Sequence, residues 1–207
     1  VNLAEAVRPL PEPDVPRETR ERLAELRDLL LRWNTRINLV ADRDPAAIDR
    51  RHIEDSLQLL PLLPPHGPIA DLGSGAGFPG LVLAIASDDR EIHLTESDRR
   101  KAAFLLEATR VLGLAQVHVH PARIEAVTLA SLAAVTARAL APLADLLAYA
   151  SRLLAPGGVA IFPKGRNVEA ELTDAASAWT MTIERYQSRT SPDSRILRLS
   201  DIRRAGA

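Results

Sequence analysis

Asp71-Leu72-Gly73-Ser74-Gly75-Ala76-Gly77-Phe78-Pro79-Gly80 joins two apolar runs, Ile69 to Leu72 before it and Pro79 to Ala86 after it. The first is short enough for a buried strand and the second long enough for a helix turn or two, so the stretch reads as a strand-to-helix connection. Three alternate glycines let the backbone take positive φ and let a ligand approach without meeting Cβ atoms. The helix start that follows offers N–H groups without intrahelical partners.

Outward from this loop the pattern repeats. On the C-terminal side, strands are predicted at Ile92 to Thr95, Val117 to Val119, Ala133 to Thr136 and Val159 to Phe162. Helices alternate with them at Asp98 to Leu112, weakly after Arg123, and over 142 to 154 before Pro156-Gly157-Gly158. Beyond lie one more helix, near 167 to 178, and two late strands. Such alternation is the sequence form of a mostly parallel sheet built from βαβ units, with helices on both faces.

On the N-terminal side the period changes. Leu23, Leu26, Leu29, Leu30 and Trp33 recur at three- and four-residue spacing and predict an amphipathic helix from Arg17 to Asn34. Asp44-Pro45 caps a second helix that carries Ile48, Ile53, Leu57 and Leu60 and ends at Pro61. Residues 1 to 16, rich in proline and acids, predict an irregular lead-in with little order. The expected organisation is a helical extension over 1–66 packed on a core over 67–207, one compact domain overall.

With no cysteine, the chain excludes disulfides, Cys-ligated zinc and thiol nucleophiles. His118 and His120 share one strand face, too few ligands for a metal site, and no Ser-His-Asp group or carboxylate pair stands out. No apolar run reaches membrane-spanning length and the start lacks a secretory pattern, so the expectation is a soluble, cytoplasmic chain without a membrane partner. A net charge of −1 argues neither for nor against a nucleic-acid partner. From Arg185 onward, six arginines against Asp193 and Asp201 read either as a phosphate-meeting tail or as a solvated surface.

Two cofactor classes compete for the glycine loop, because Gly75 to Gly80 also fits the dinucleotide pattern G-x-G-x-x-G. Asp71 favours a methyl donor: an acid there would face the amino group of a methionine moiety and repel a pyrophosphate. Glu96 ends the second strand nineteen residues past Gly77, where a carboxylate accepts ribose hydroxyls or helps start the next helix. Ile124 and Glu125 follow the third strand, in position to bracket an adenine. Arg138 and Lys164 each stand just past a strand end, as anion clamps or as members of ion pairs.

Several separated motifs occur in order: Trp33-Asn34 with Ile37-Asn38-Leu39, Arg51-His52-Ile53 with Asp55-Ser56, Asp71 through Gly80, Glu96-Ser97 with Lys101 and Phe104-Leu105, Arg138-Ala139, and Lys164-Gly165. In these the chain resembles, from the first helix to about Arg198, the RsmG (GidB) family of ribosomal RNA guanine-N7 methyltransferases. The resemblance implies a Rossmann-like, class I S-adenosylmethionine-dependent methyltransferase acting on 16S ribosomal RNA or the small ribosomal subunit; a monomer is the separate expectation, which the sequence does not decide. It also implies that Gly73, Phe78, Ile124, Glu125 and Arg138 contact the cofactor, in a site that the loop reading extends to Asp71, Ser74, Gly75, Gly77 and Glu96. Guanine N7 already bears a lone pair, so no catalytic acid–base residue is expected, and no metal. The basic candidates for RNA contact are Arg51, Arg100, Lys164 and Arg166, with Arg50 and Arg99 beside them.

Overall fold

The computed structural model describes residues 6–87, 89–129 and 131–206, and its centre is a seven-stranded sheet. In chain order the strands are β1 (Ile69–Leu72), β2 (Ile92–Thr95), β3 (Val117–His120), β4 (Leu132–Ala137), β5 (Leu154–Lys164), β6 (Trp179–Gln187) and β7 (Arg195–Arg204). Their spatial order is β3-β2-β1-β4-β5-β7-β6. The first five run parallel, and β7 inserts antiparallel between β5 and β6. The helices are α1 (Arg17–Asn34), α2 (Pro45–Ile48), α3 (Asp55–Leu57), α4 (Gly80–Ala86), α5 (Arg99–Val111), α6 (Leu143–Leu153) and α7 (Val168–Ala176).

Strand pleating sorts side chains into two cores. Ile69, Ile92, Ala134, Val159 and Ile161 join α1, α4 and α5 on one face. Ala70, Leu72, Val135, Ala160 and Phe162 join α6 and α7 on the other. Burial on both faces explains why these strands read as short continuous apolar runs rather than alternating ones. The predicted N-terminal helix has the expected bounds, and its apolar stripe, Leu23, Leu26, Leu29 and Leu30, is buried in the first core.

Three features differ from the sequence reading. The second helix is interrupted by a π-helical turn, Asp49–Glu54, which accommodates the five-residue step between buried Ile48 and Ile53. α6 stops at Leu153, and β5 begins at once: Leu132 pairs with Leu154 and Ala134 with Val159, so Pro156-Gly157-Gly158 bulges from the pairing. Gly158 is needed there, since a Cβ would lie 2.8 Å from the Leu132 carbonyl oxygen. The lead-in is partly ordered: Arg8 makes a bridge to Tyr186, its N–H donating to the Arg185 carbonyl at 2.8 Å, because edge strand β6 leaves backbone groups in need of partners. Residues 1–5 of that lead-in lie outside the described residues.

Because the chain builds β1, β2 and β3 outward and then crosses back to β4, the connections leaving β1 and β4 diverge. The crevice between them, at the carboxyl ends of the strands, is where open α/β sheets bind ligands. No helix among the described residues is long and apolar enough to cross a membrane.

Candidate cofactor and substrate cleft

The glycine loop is tied to the end of β2. Gly73 N–H donates to Thr95 Oγ1 (3.1 Å), Ser74 N–H to the Thr95 carbonyl (2.8 Å) and Gly75 N–H to Glu96 Oε2 (2.8 Å). Gly73, Gly75 and Gly77 have φ of 63°, 57° and 87°, the left-handed geometry that makes glycine necessary. The Gly73 site is also crowded: a Cβ there would lie 2.5 Å from Leu140 Cδ1, in the loop after β4.

Asp71 does not open on the crevice. Its side chain is fully buried below the loop, where Oδ2 accepts the Gly80 N–H (3.1 Å) and Oδ1 the Thr136 hydroxyl (3.0 Å). Burial pushes its carboxyl up to about 6, opposed by bonds from Ser74, Thr136 and Gly80. In this arrangement Asp71 serves as an internal anchor of the loop. The same contact corrects the reading of the helix start: Asp71 takes the Gly80 N–H, and Leu81 N–H donates to the Gly77 carbonyl. A buried acid where a pyrophosphate would need amides disfavours a dinucleotide.

A cavity of about 330 Å³ lies over the loop, lined by Gly73, Gly75, Glu96, Ile124 and Glu125 among the candidates. Among the described residues each Glu96 oxygen has one partner, Gly75 N–H on Oε2 and Asp98 N–H (2.7 Å) on Oε1. A carboxylate oxygen has a second acceptor site, which suits a pair of ribose hydroxyls. Ile124 begins a short turn after β3 that α6 secures, with Arg152 donating to the Ile124 carbonyl (3.1 Å) and the Tyr149 hydroxyl donating to Glu125. Tyr149 and Leu140 line the cavity too, and nothing in their local sequence marks them. Ser74, Gly77 and Phe78 are buried and shape the loop from beneath.

Beside it, sharing Ala139 and Leu140, is a larger cavity of about 790 Å³. Arg138 stands here, bound to the extension: Nη1 donates to Asp55 Oδ2 (3.2 Å) and to the Arg51 carbonyl (3.1 Å), Nη2 to His52 Nδ1 (2.9 Å). His52 stacks on Phe78 with ring centroids 5.0 Å apart, and the Arg138 guanidinium lies 5.5 Å from the same ring centre. A guanidinium only donates, so the His52 proton sits on Nε2, facing Asp42 Oδ2 at 3.1 Å. Burial, then the Arg138 charge, holds His52 below the usual histidine range.

The basic candidates separate. Lys164 is only 9% exposed, its Nζ held by Glu171 (2.7 Å) and the Ala141 carbonyl (3.0 Å), which is the ion-pair alternative of its two readings. Arg51 is exposed and paired with Asp42 at 2.8 Å, Arg166 is exposed with Asp193 at 3.9 Å, and Arg100 is exposed. Three of the six C-terminal arginines are held against the sheet: Arg185 pairs with Glu169, Arg198 with Glu184, and Arg204 covers Trp179.

The family and the relatives that this chain matches make it an S-adenosylmethionine-dependent rRNA methyltransferase, and the paired cleft lies where such an open sheet takes its ligands. Solved structures share the fold: a SAM-dependent methyltransferase from Aquifex aeolicus (TM-score 0.58, 14% identity, 75% of this chain and 92% of that one) and a putative O-methyltransferase from Klebsiella pneumoniae (TM-score 0.57, 16% identity, 84% and 88%). The chain belongs to the GidB family, rRNA small subunit methyltransferase G, which matches residues 19–195. Among its relatives, proteins named ribosomal RNA small subunit methyltransferase G from Granulibacter bethesdensis and Gluconobacter oxydans are 54% and 50% identical. The matches cover 92% of this chain in both cases and 89% and 97% of the relatives.

Proposed function

We propose that this enzyme transfers a methyl group from S-adenosylmethionine to N7 of a guanine in the decoding-region loop of 16S ribosomal RNA, in line and without a general base. The observation that carries the reading is the state of the bases around the larger cavity. Asp55 is held by Arg138 and accepts from Thr190 Oγ1 (2.6 Å), and Glu171 is held by Lys164 and the Leu143 N–H (2.7 Å). The free lone pair of neutral His52 is taken by Arg138. Among the described residues, Asp174, which is exposed, is the one carboxylate of the cavity left without a cation. A methyl acceptor that must lose a proton is poorly served by such a site, whereas guanine N7 loses none.

The bound cofactor would supply an electrophilic methyl carbon on a sulfonium. Glu96 would accept the ribose hydroxyls, Ile124 and Glu125 would border the adenine, and Gly73 and Gly75 would allow close approach of the backbone. Asp71, Ser74, Gly77 and Phe78 keep that loop in shape, and Arg138 closes the boundary with the larger cavity, where the base would enter. Rate acceleration then rests on holding donor and acceptor in line at near-attack separation. The base edge must be exposed, which favours an RNA loop over a helix.

The test is transfer of label from S-adenosylmethionine to 16S RNA and to intact small subunits, with 7-methylguanosine mapped. One labelled guanine, lost in Glu96→Gln together with cofactor binding, is the expected result. Absence of label from both substrates despite tight cofactor binding would overturn the RNA assignment.

A further inference from the structure

Arg138 and Lys164 in the cleft already have partners. The side chains of Arg50, Arg99 and Arg123 stand singly without a hydrogen bond or ion pair among the described residues, whereas four such cations stand together in one place. Arg36, Arg43, Arg100 and Lys101 surround a dent of about 180 Å³, together with Asn38 and Asp98. Among the described residues none of the four cationic heads has a hydrogen bond or ion pair. The one acid is already engaged: Asp98 Oδ1 accepts the N–H groups of Arg100 (2.8 Å) and Lys101 (3.2 Å), which holds its carboxyl below the usual range. The α5 helix start is thus capped from within, and recognition at the dent falls to side chains.

The two walls are rigidly placed. Asn34, 3% exposed, donates to the Val40 and Asp42 carbonyls (2.9 and 3.3 Å), and its Oδ1 accepts the Leu39 and Val40 N–H groups (2.8 and 3.1 Å). One buried amide therefore fixes the connection that carries Arg36, Asn38 and Arg43. Trp33 packs edge-on against Phe104, 5.7 Å between centroids, which locks the end of α1 onto α5. Lys101 lines both this dent and the cofactor cavity, so an anion held here lies at the lip of the cleft.

We infer that the dent is a phosphate clasp that grips the substrate RNA backbone next to the nucleotide entering the cleft. Four unpaired cations on a preformed concave surface suit a phosphodiester, and such contacts set register without reading sequence. They also supply local attraction that a net charge of −1 cannot. The inference rests on RNA being the substrate.

The experiment measures binding of wild type and Arg36→Gln/Arg43→Gln to 16S RNA by filter retention over a range of salt. Both residues are exposed, and neither lines the cofactor cavity. S-adenosylmethionine affinity reports that the fold is intact. An Arg17→Gln/Arg110→Gln variant removes the same charge from exposed sites elsewhere. The clasp variant should bind RNA roughly tenfold more weakly and lose about one unit from the slope of log K against log salt, with the control shifting much less. Equal slopes and affinities in wild type and the clasp variant overturn the clasp and leave the RNA reading intact. Failure of the wild type to bind RNA overturns both.

Discussion

Replacing Asp71 separates an internal anchor from a cofactor ligand. Asp71→Ala leaves two donors, the Gly80 N–H and the Thr136 hydroxyl, without acceptors in a site that water does not reach. At about 1–3 kcal/mol for each stranded donor, the loss is about 2–6 kcal/mol. A chain of this length shifts by about 2–4 °C per kcal/mol, so Tm should fall by roughly 4–24 °C. Asp71→Asn keeps the shape: its oxygen can accept from Gly80 while its amide donates to Thr136, so most stability should survive. The pH dependence has a definite sign. The folded carboxyl titrates near 6 against an unfolded value of 3.8, so the native state holds the extra proton and this group's contribution declines as pH rises from about 4 to above 6. Asn has no such titration and should gain on wild type over that window, by up to about 3 kcal/mol. Thermal and urea unfolding at pH 4.5 and 7.5, with cofactor calorimetry at pH 7.5, provide the readouts. If Asp71→Asn keeps the Tm of wild type at every pH but loses cofactor affinity a hundredfold, the carboxylate is a ligand and the anchor argument fails.

Lys164→Met should lower stability by about 1–3 kcal/mol, since Glu171 loses its charged partner, while the salt slope of RNA binding stays unchanged; a reduced slope would make Lys164 a phosphate contact. Gly73→Ala forces a left-handed φ on alanine, costing about 1–2 kcal/mol, and presses on Leu140 in the cavity of about 330 Å³. Calorimetry should show weakened cofactor binding that Leu140→Ala recovers while the lost stability remains; recovery of both would mean that crowding, not φ, set the cost.

Local pattern determined a large part of this protein. The period of Leu23, Leu26, Leu29 and Leu30 prescribes α1 because a helix must bury one stripe, and the apolar runs at 69–72 and 92–95 prescribe strands buried on both faces. That Gly73, Gly75 and Glu96 line one cavity is legible in the sequence because loop glycines and an acid at a strand end carry their meaning in short spacing. The pairing of charges was not legible. Arg138 meets His52 across 86 positions and Asp55 across 83, and Lys164 at the end of β5 is paired with Glu171 of α7. Asp71 looked ligand-facing in one dimension. In three, the alternation of β1 turns it toward α4 and Thr136, because successive side chains of a strand face opposite sides. The clasp at Arg36, Arg43, Arg100 and Lys101 likewise exists only once α1 packs on α5, since the tertiary structure decides which charges find partners and which remain free to bind.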